Sequence, residues 1–376
     1  VESYVPWGVH ELARGSFDFG EHNRQLDLGA FLESCRARDL KVILRPGPHI
    51  NAELTYFGFP ARVLNHPACQ ARTARNTIAL QPAPPRSFPI PSYAQVAFLE
   101  EVDTWFAAFA ARVAPYLGEL VISVQVDNEM GYFFRTSPFD LDYSEGSIAL
   151  FRRFLRTRYK KENELATMHG PGSKFDTVDP PRRFEAARPE DLPRYLDWAA
   201  FHRFYTVESL RFLRGSLENH GVRGVPLFHN LPPAEVGPPF DIPGIEAHLD
   251  FAGLDLYHRR QEYAVVKRRV QAVAGSSRLP VSPECGVGGW LAWQSFTAKD
   301  NLETLLAALM HGLKGVNLYM LVERERWYGS PISREGRTRE PLYGWLQKLI
   351  AALHEVKLYE LTREAPIGVN TPISRR

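Results

Sequence analysis

The chain has 376 residues, of which 44% are hydrophobic and 12% aromatic, enough for one large core or at most two domains. A formal net charge of +2 points to neither nucleic acid nor an acidic polymer as a partner, and no apolar run approaches the roughly 20 residues of a membrane span. Cys35, Cys69 and Cys285 are odd in number and lack CxxC or metal-ligand spacing, which argues against a disulfide framework. No secretory leader is visible, so a cytoplasmic location is expected. The chain also opens at Val1, without Met and inside a strand-like run, so an upstream piece is expected.

The predicted elements alternate. Residues 1–7 read as a strand, 26–38 as a helix and 41–46 as a strand. After a long Pro/Gly-rich stretch, 47–94, come a helix at 95–116 and a strand at 120–126. The run Leu120-Val121-Ile122-Ser123-Val124 is apolar enough for a sheet covered on both faces. A loop at 128–143 precedes a helix at 144–162, and a polar, Pro-rich insertion at 163–191 separates that helix from the next, at 192–220. Then follow a strand at 225–229, a loop at 230–244, a strand at 251–257 and a helix at 262–274. The series closes with a strand at 280–284, a helix at 301–313, a strand at 315–321, a loop at 322–340 and a helix at 342–354.

Strands alternating with helices imply parallel βαβ units. The long segments 47–94, 128–143, 230–244 and 322–340 follow strand ends, as the active-site loops of a (β/α)8 TIM barrel do. Seven strands are read where closure needs eight. The expectation is therefore an α/β protein whose TIM barrel lacks its first strand and helix in this chain. Residues 1–360 would form that N-terminally incomplete catalytic barrel, and 361–376 a tail or the start of a following domain. The strand at 1–7 should then lie parallel beside 41–46. A doubly wound open sheet is the alternative; it would want a Gly-rich phosphate turn after a strand, and none is present.

Counted with the missing strand, the strand ending at Glu129 is the fourth and the one ending at Glu284 the seventh. Gln125-Val126-Asp127-Asn128-Glu129 and Val281-Ser282-Pro283-Glu284 both turn from apolar to polar at the strand end. Cleaving a glycosidic bond needs two such carboxyl groups, one to protonate the leaving oxygen and one to attack the anomeric carbon or activate water. A lone Glu at a strand end reads more readily as a cap or an arginine partner; two at these positions, with Asn128 before the first, favour chemistry. His10, His49, His229 and His258 also follow strand ends, but on different strands and without a spacing signature, so no metal and no cofactor is expected. Cys285 reads as a small packing residue, since no histidine or asparagine partner is identifiable.

Four motifs stand in order: Val1-Glu2-Ser3-Tyr4-Val5-Pro6-Trp7 with His10-Glu11 and Phe17-Asp18-Phe19; Val42-Ile43-Leu44-Arg45-Pro46-Gly47-Pro48-His49-Ile50-Asn51-Ala52-Glu53; residues 125–131; and Gly315-Val316-Asn317-Leu318-Tyr319-Met320. Together they resemble glycoside hydrolase family 35, the β-galactosidases. The resemblance implies a barrel with Glu129 as acid/base and Glu284 as nucleophile. It implies that Asn128 hydrogen-bonds the sugar 2-hydroxyl, and that Asn51, Ala52 through its backbone and Glu53 hold the 3-, 4- and 6-hydroxyl side of a galactose. Tyr4 and Tyr257 would line the −1 subsite, where Tyr257 can hydrogen-bond the nucleophile.

The chain departs from that family's pattern at Cys285-Gly286-Val287-Gly288-Gly289-Trp290 and at Glu323-Arg324-Glu325-Arg326-Trp327-Tyr328-Gly329, where an aglycone or a sugar face would be contacted. Trp327 and Tyr328 are candidate stacking platforms, although the run 323–326 reads equally as a solvated salt-bridge strip. The expected activity is a retaining glycoside hydrolase releasing a terminal β-linked galactose or related sugar by double displacement. The expected partner is a carbohydrate substrate, with no nucleic acid and no membrane; the sequence leaves the oligomeric state open. Two alternatives stand beside it: another β-glycosidase of the clan, such as an exo-β-glucosaminidase, or a non-catalytic carbohydrate-binding fragment.

Overall fold

A computed structural model describes residues 1–83, 86–131, 137–233, 240–291, 293–294, 296–364 and 368. The described residues fall into two compact units, 1–227 with 240–249, and 228–233 with 250–364 and 368.

In the first unit three strands run parallel in the order β1 (Glu2–Tyr4), β2 (Val42–Gly47), β3 (Val121–Val126). The register sets Tyr4 beside Arg45 and Gly47 beside Val126, so the predicted pairing of 1–7 with 41–46 is found. β1 is shorter than predicted: Pro6 cannot donate to a ladder, and Trp7–His10 forms a single helical turn. Helix α1 (Leu28–Arg36) joins β1 to β2, with Asp27 capping its first turn through the Ala30 N–H at 2.8 Å. It buries Leu28, Leu32 and Cys35, positions i, i+4 and i+7 of one face. Helix α2 (Val96–Val113) buries Phe98, Val102, Trp105, Phe106, Phe109 and Val113. The Trp105 indole N–H donates to the Pro46 carbonyl at 2.9 Å, which fastens α2 at the end of β2.

The loop after β2 contains an antiparallel hairpin, Leu80–Ala83 with Arg86–Pro89, that the sequence does not announce because its prolines read as breakers. The predicted helix at 144–162 ends earlier, as α3 (Glu145–Arg158). The 163–191 insertion then finds its place. Helix α4 (Glu162–His169) opens it, and α5 (Pro193–Asn219) follows it. On α5 the buried Asp197 accepts from Arg158 Nε, the Tyr159 hydroxyl and His169 Nε2, each at 2.7 Å. One carboxylate thus ties the ends of α3 and α4 to α5.

In the second unit β4 (Leu227–Leu231) contributes Phe228–Leu231, parallel to β5 (Phe251–Leu254). Phe228 and Phe251 stack with ring centroids 4.7 Å apart. Leu256 bridges to Cys285 of β6 (Val281–Gly286), and β6 pairs in parallel with β7 (Gly315–Tyr319). A Cβ on Gly253 would collide with Pro283 Cδ, so glycine lets β6 approach β5. Helices α6 (Tyr263–Ala274), α7 (Ala298–Met310) and α8 (Leu342–Glu355) complete the βα alternation. Among the described residues no helix is long and apolar enough to cross a membrane.

Candidate active site

The end of β3 carries Asp127, Asn128 and Glu129, all buried. Asp127 and Glu129 adopt left-handed backbone, with φ of 56° and 45°, a conformation that costs a non-glycine residue free energy and is held only where neighbours fix it. Those neighbours are at the end of β2 and on the loop after it. The Asp127 N–H donates to the Gly47 carbonyl at 2.9 Å. The His49 N–H donates to Asp127 Oδ1 at 2.8 Å, and the Tyr93 hydroxyl reaches both carboxyl oxygens, at 3.1 and 3.2 Å. His49 Nδ1 donates to the Asn128 carbonyl at 2.7 Å. Burial pushes the Asp127 carboxyl up to about 8, against the lowering effect of the His49 N–H and the Tyr93 hydroxyl. His49, Tyr93, Asp127 and Glu129 line one small cavity, with Met130 and Tyr205 among its walls.

Arg45 organises the next group. It is an arginine inside the apolar run of β2, buried to 1% exposure. Its Nη1 lies 3.3 Å from Glu2 Oε1, its Nη2 donates to Asn128 Oδ1, and its guanidinium carbon sits 4.5 Å from the centre of the Tyr4 ring. Tyr4, on β1, and Asn128, just beyond β3, are thereby brought to one guanidinium, which lies over the aromatic face of the first and donates to the amide oxygen of the second. Beyond β2, Asn51, Ala52 and Glu53 form three consecutive left-handed residues, with φ of 51°, 48° and 53°; Ala52 is buried, and Asn51 and Glu53 are half-buried.

In the second unit Glu284, 5% exposed, stands near the end of β6. The Tyr257 hydroxyl donates to its Oε2, and Asn230 Nδ2 donates to its Oε1 at 3.3 Å. A Cβ on Gly286 would lie 2.6 Å from Tyr257 Cδ1, so the missing side chain makes room for that ring beside the carboxylate. Burial pushes the Cys285 thiol up to about 12, which keeps it protonated and fits a packing residue. Trp327 differs from the expected platform. It is 1% exposed, its indole N–H donates to the Val287 carbonyl at 2.9 Å, and its ring packs against Tyr319, Trp293 and Tyr257. A ring so covered has no open face for a sugar. Tyr328, next in the chain, is 47% exposed.

Arg45, Asp127, Asn230 and Asp255 are not singled out by the sequence reading, although each interrupts or ends an apolar strand, the signal that picks out Glu129 and Glu284. Among the described residues no group of three or more His, Cys, Asp or Glu side chains is arranged to hold a metal ion. His10 Nδ1, like that of His49, is engaged by a backbone carbonyl, that of Asp18 at 2.8 Å.

Residues 1–79 match the family model of glycosyl hydrolases family 35. The chain is 28% identical over 346 residues to the beta-1,2-glucosyltransferase of Ignavibacterium album, covering 85% of this chain and 46% of that protein. It is 32% identical over 225 residues to the exo-beta-D-glucosaminidase of Pyrococcus horikoshii, covering 57% and 28%. Against the beta-galactosidase-1-like protein of Mus musculus the identity is 35% over 158 residues, covering 41% and 20%. The chain spans less than half the length of each of these relatives. The beta-galactosidase of the psychrophilic Marinomonas ef1 shares its fold, with a TM-score of 0.74 at 17% identity over 96% of this chain and 57% of that one.

Proposed function

Since the chain belongs to glycosyl hydrolases family 35, a family of glycosidases, we propose that it is a retaining enzyme releasing a terminal β-linked galactose, or a related sugar, by double displacement. Glu284 attacks the anomeric carbon while Glu129 protonates the departing oxygen; Glu129, now a base, then draws the proton from the water that cleaves the glycosyl ester. Asn128 takes the sugar 2-hydroxyl. Asn51, the Ala52 backbone and Glu53 take the 3-, 4- and 6-hydroxyl side, and Tyr4 and Tyr257 flank the ring; the exposed Tyr328 remains a candidate contact for the aglycone. The observation that carries this reading is Glu284 itself: a buried carboxylate with a hydrogen-bond donor on each oxygen, Asn230 on one and Tyr257 on the other. Both oxygens are fixed in direction, as a nucleophile aimed at one carbon requires.

The test is a panel of aryl β-galactosides, β-glucosaminides and β-glucosides, with the anomer released first followed by proton NMR. Release of β-sugar supports retention; first release of α-sugar ends the double-displacement reading. Greater kcat/KM on the glucosaminide moves the substrate to the alternative named by the Pyrococcus relative. A second reading is favoured by the glucosyltransferase likeness, which extends over 85% of this chain. In it a sugar hydroxyl replaces water as acceptor, with the same two carboxylates. An excess of aryl alcohol over free sugar on adding glucose would identify it.

A further inference from the structure

We infer that Asp255 is a positioning residue for Glu284, acting through Asn230. The inference rests on Glu284 being the nucleophile and concerns how that carboxylate is held. Asn230, on β4, and Asp255, just beyond β5, come from adjacent parallel strands, whose pairing continues through the Asp255 N–H to the Leu231 carbonyl at 3.0 Å. Both side chains are fully buried. Asn230 Nδ2 donates to Asp255 Oδ2 at 2.6 Å and to Glu284 Oε1 at 3.3 Å. One amide nitrogen has two hydrogens, and each faces a carboxyl group.

An asparagine side chain has nearly the same shape after a half-turn that exchanges oxygen and nitrogen. Turned the wrong way, Asn230 would present its oxygen to Glu284 and repel it. Asp255 selects the productive orientation, because a carboxylate accepts hydrogen bonds and offers none to the amide oxygen. The Tyr257 hydroxyl holds the other oxygen of Glu284, so the two donors together fix the plane of the carboxylate. Asp255 therefore governs Glu284 without approaching the sugar.

The experiment measures the rate at which Glu284 is esterified in the full chain by 2,4-dinitrophenyl 2-deoxy-2-fluoro-β-D-galactopyranoside and its gluco counterpart. A Glu284 oxygen bonds to the anomeric carbon and dinitrophenolate leaves with the bonding electrons. That leaving group needs no protonation, so the rate reports on the nucleophile alone. Peptide mass spectrometry locates the ester. Asp255→Ala and Asn230→Ala should each slow labelling about tenfold or more, and the double variant should be no slower than Asn230→Ala, since the two act in series. Asp255→Asn keeps an acceptor oxygen but its amide also offers donors, so it excludes the unproductive orientation only in part and should label at a rate between those of the wild type and Asp255→Ala. If Asp255→Ala loses its cooperative thermal transition, Asp255→Leu fills the space without an acceptor and takes its place. Labelling at the wild-type rate in the variant without an acceptor, additive losses in the double variant, or an Asp255→Asn variant as slow as the alanine one would each overturn the inference. Absence of an ester at Glu284 in the wild type overturns the nucleophile assignment, and this inference with it.

Discussion

A carboxyl group that keeps its proton at neutral pH adds no second anion beside Glu129, and Asp127 is such a group. Its folded-state value is about 8, whereas in the unfolded chain it is an ordinary aspartate near 4. Between those values the folded state binds a proton that the unfolded state has released, so this group lowers stability progressively as pH rises from about 4 to about 8. Asp127→Asn removes the titration, and the Tyr93 hydroxyl can turn to accept from the new amide. The Tm of the variant, measured by calorimetry, should gain on that of the wild type by at least about 2 °C between pH 5 and pH 8; parallel curves would show that Asp127 is ionised throughout. Glu53 makes a different kind of contribution. As a carboxylate it can accept from two neighbouring sugar hydroxyls, and Glu53→Gln should cost roughly 1.5–3 kcal/mol of transition-state binding. That is about a 10- to 100-fold fall in kcat/KM on the best substrate, with Tm little changed; an unchanged kcat/KM removes Glu53 from the sugar contacts.

Helix α7 begins at Ala298 rather than near 301 because Thr297 and Asp300 cap each other's backbone: the Asp300 N–H donates to Thr297 Oγ1 at 3.1 Å, and the Thr297 N–H to Asp300 Oδ2 at 3.0 Å. Thr297→Ala should lower unfolding free energy by about 1 kcal/mol, read from urea denaturation, without shifting the slope of the transition. That start is written in the sequence as Thr-x-x-Asp, a signal that apolar spacing does not carry. The parallel strands within each unit and most helices were legible because runs such as Val121-Ile122-Ser123-Val124 and the i, i+4, i+7 face of α1 carry their period locally. The 163–191 insertion was not: its order comes from Asp197, a contact made across three helices and invisible to any window of sequence. The same division runs through the candidate site. Glu129 and Glu284 stood out as polar groups closing apolar strands, and Tyr257 through the family resemblance, whereas Arg45, Asn230 and Asp255 act on other side chains, and their partners lie 25 to 83 positions away. Trp327 misled because an aromatic beside a site is as readily a wall as a platform.

For the molecule as a catalyst, the two proposed carboxylates must fail differently when neutralised. Glu284→Gln should abolish turnover of every substrate. Glu129→Gln should retain glycosylation by activated aryl glycosides, whose leaving groups need little protonation, and external azide should restore turnover as the β-glycosyl azide. Azide product of inverted configuration, or equal loss with activated and unactivated leaving groups, would remove Glu129 from the acid/base role. The guanidinium that joins β1, β2 and β3 sets a limit on how such a protein can be recombined. Glu2, Arg45 and Asn128 are far apart in the chain yet share one buried ion, so a chimera with a crossover between them inherits part of the set. Arg45 arriving without Glu2 would be a buried cation short of an anion, a costly state, and Asn128 would lose the partner that orients it. Functional chimeras with distant relatives should therefore tolerate exchange after Asn128 far better than exchange between Glu2 and Asn128, because those three residues are heritable only as a block.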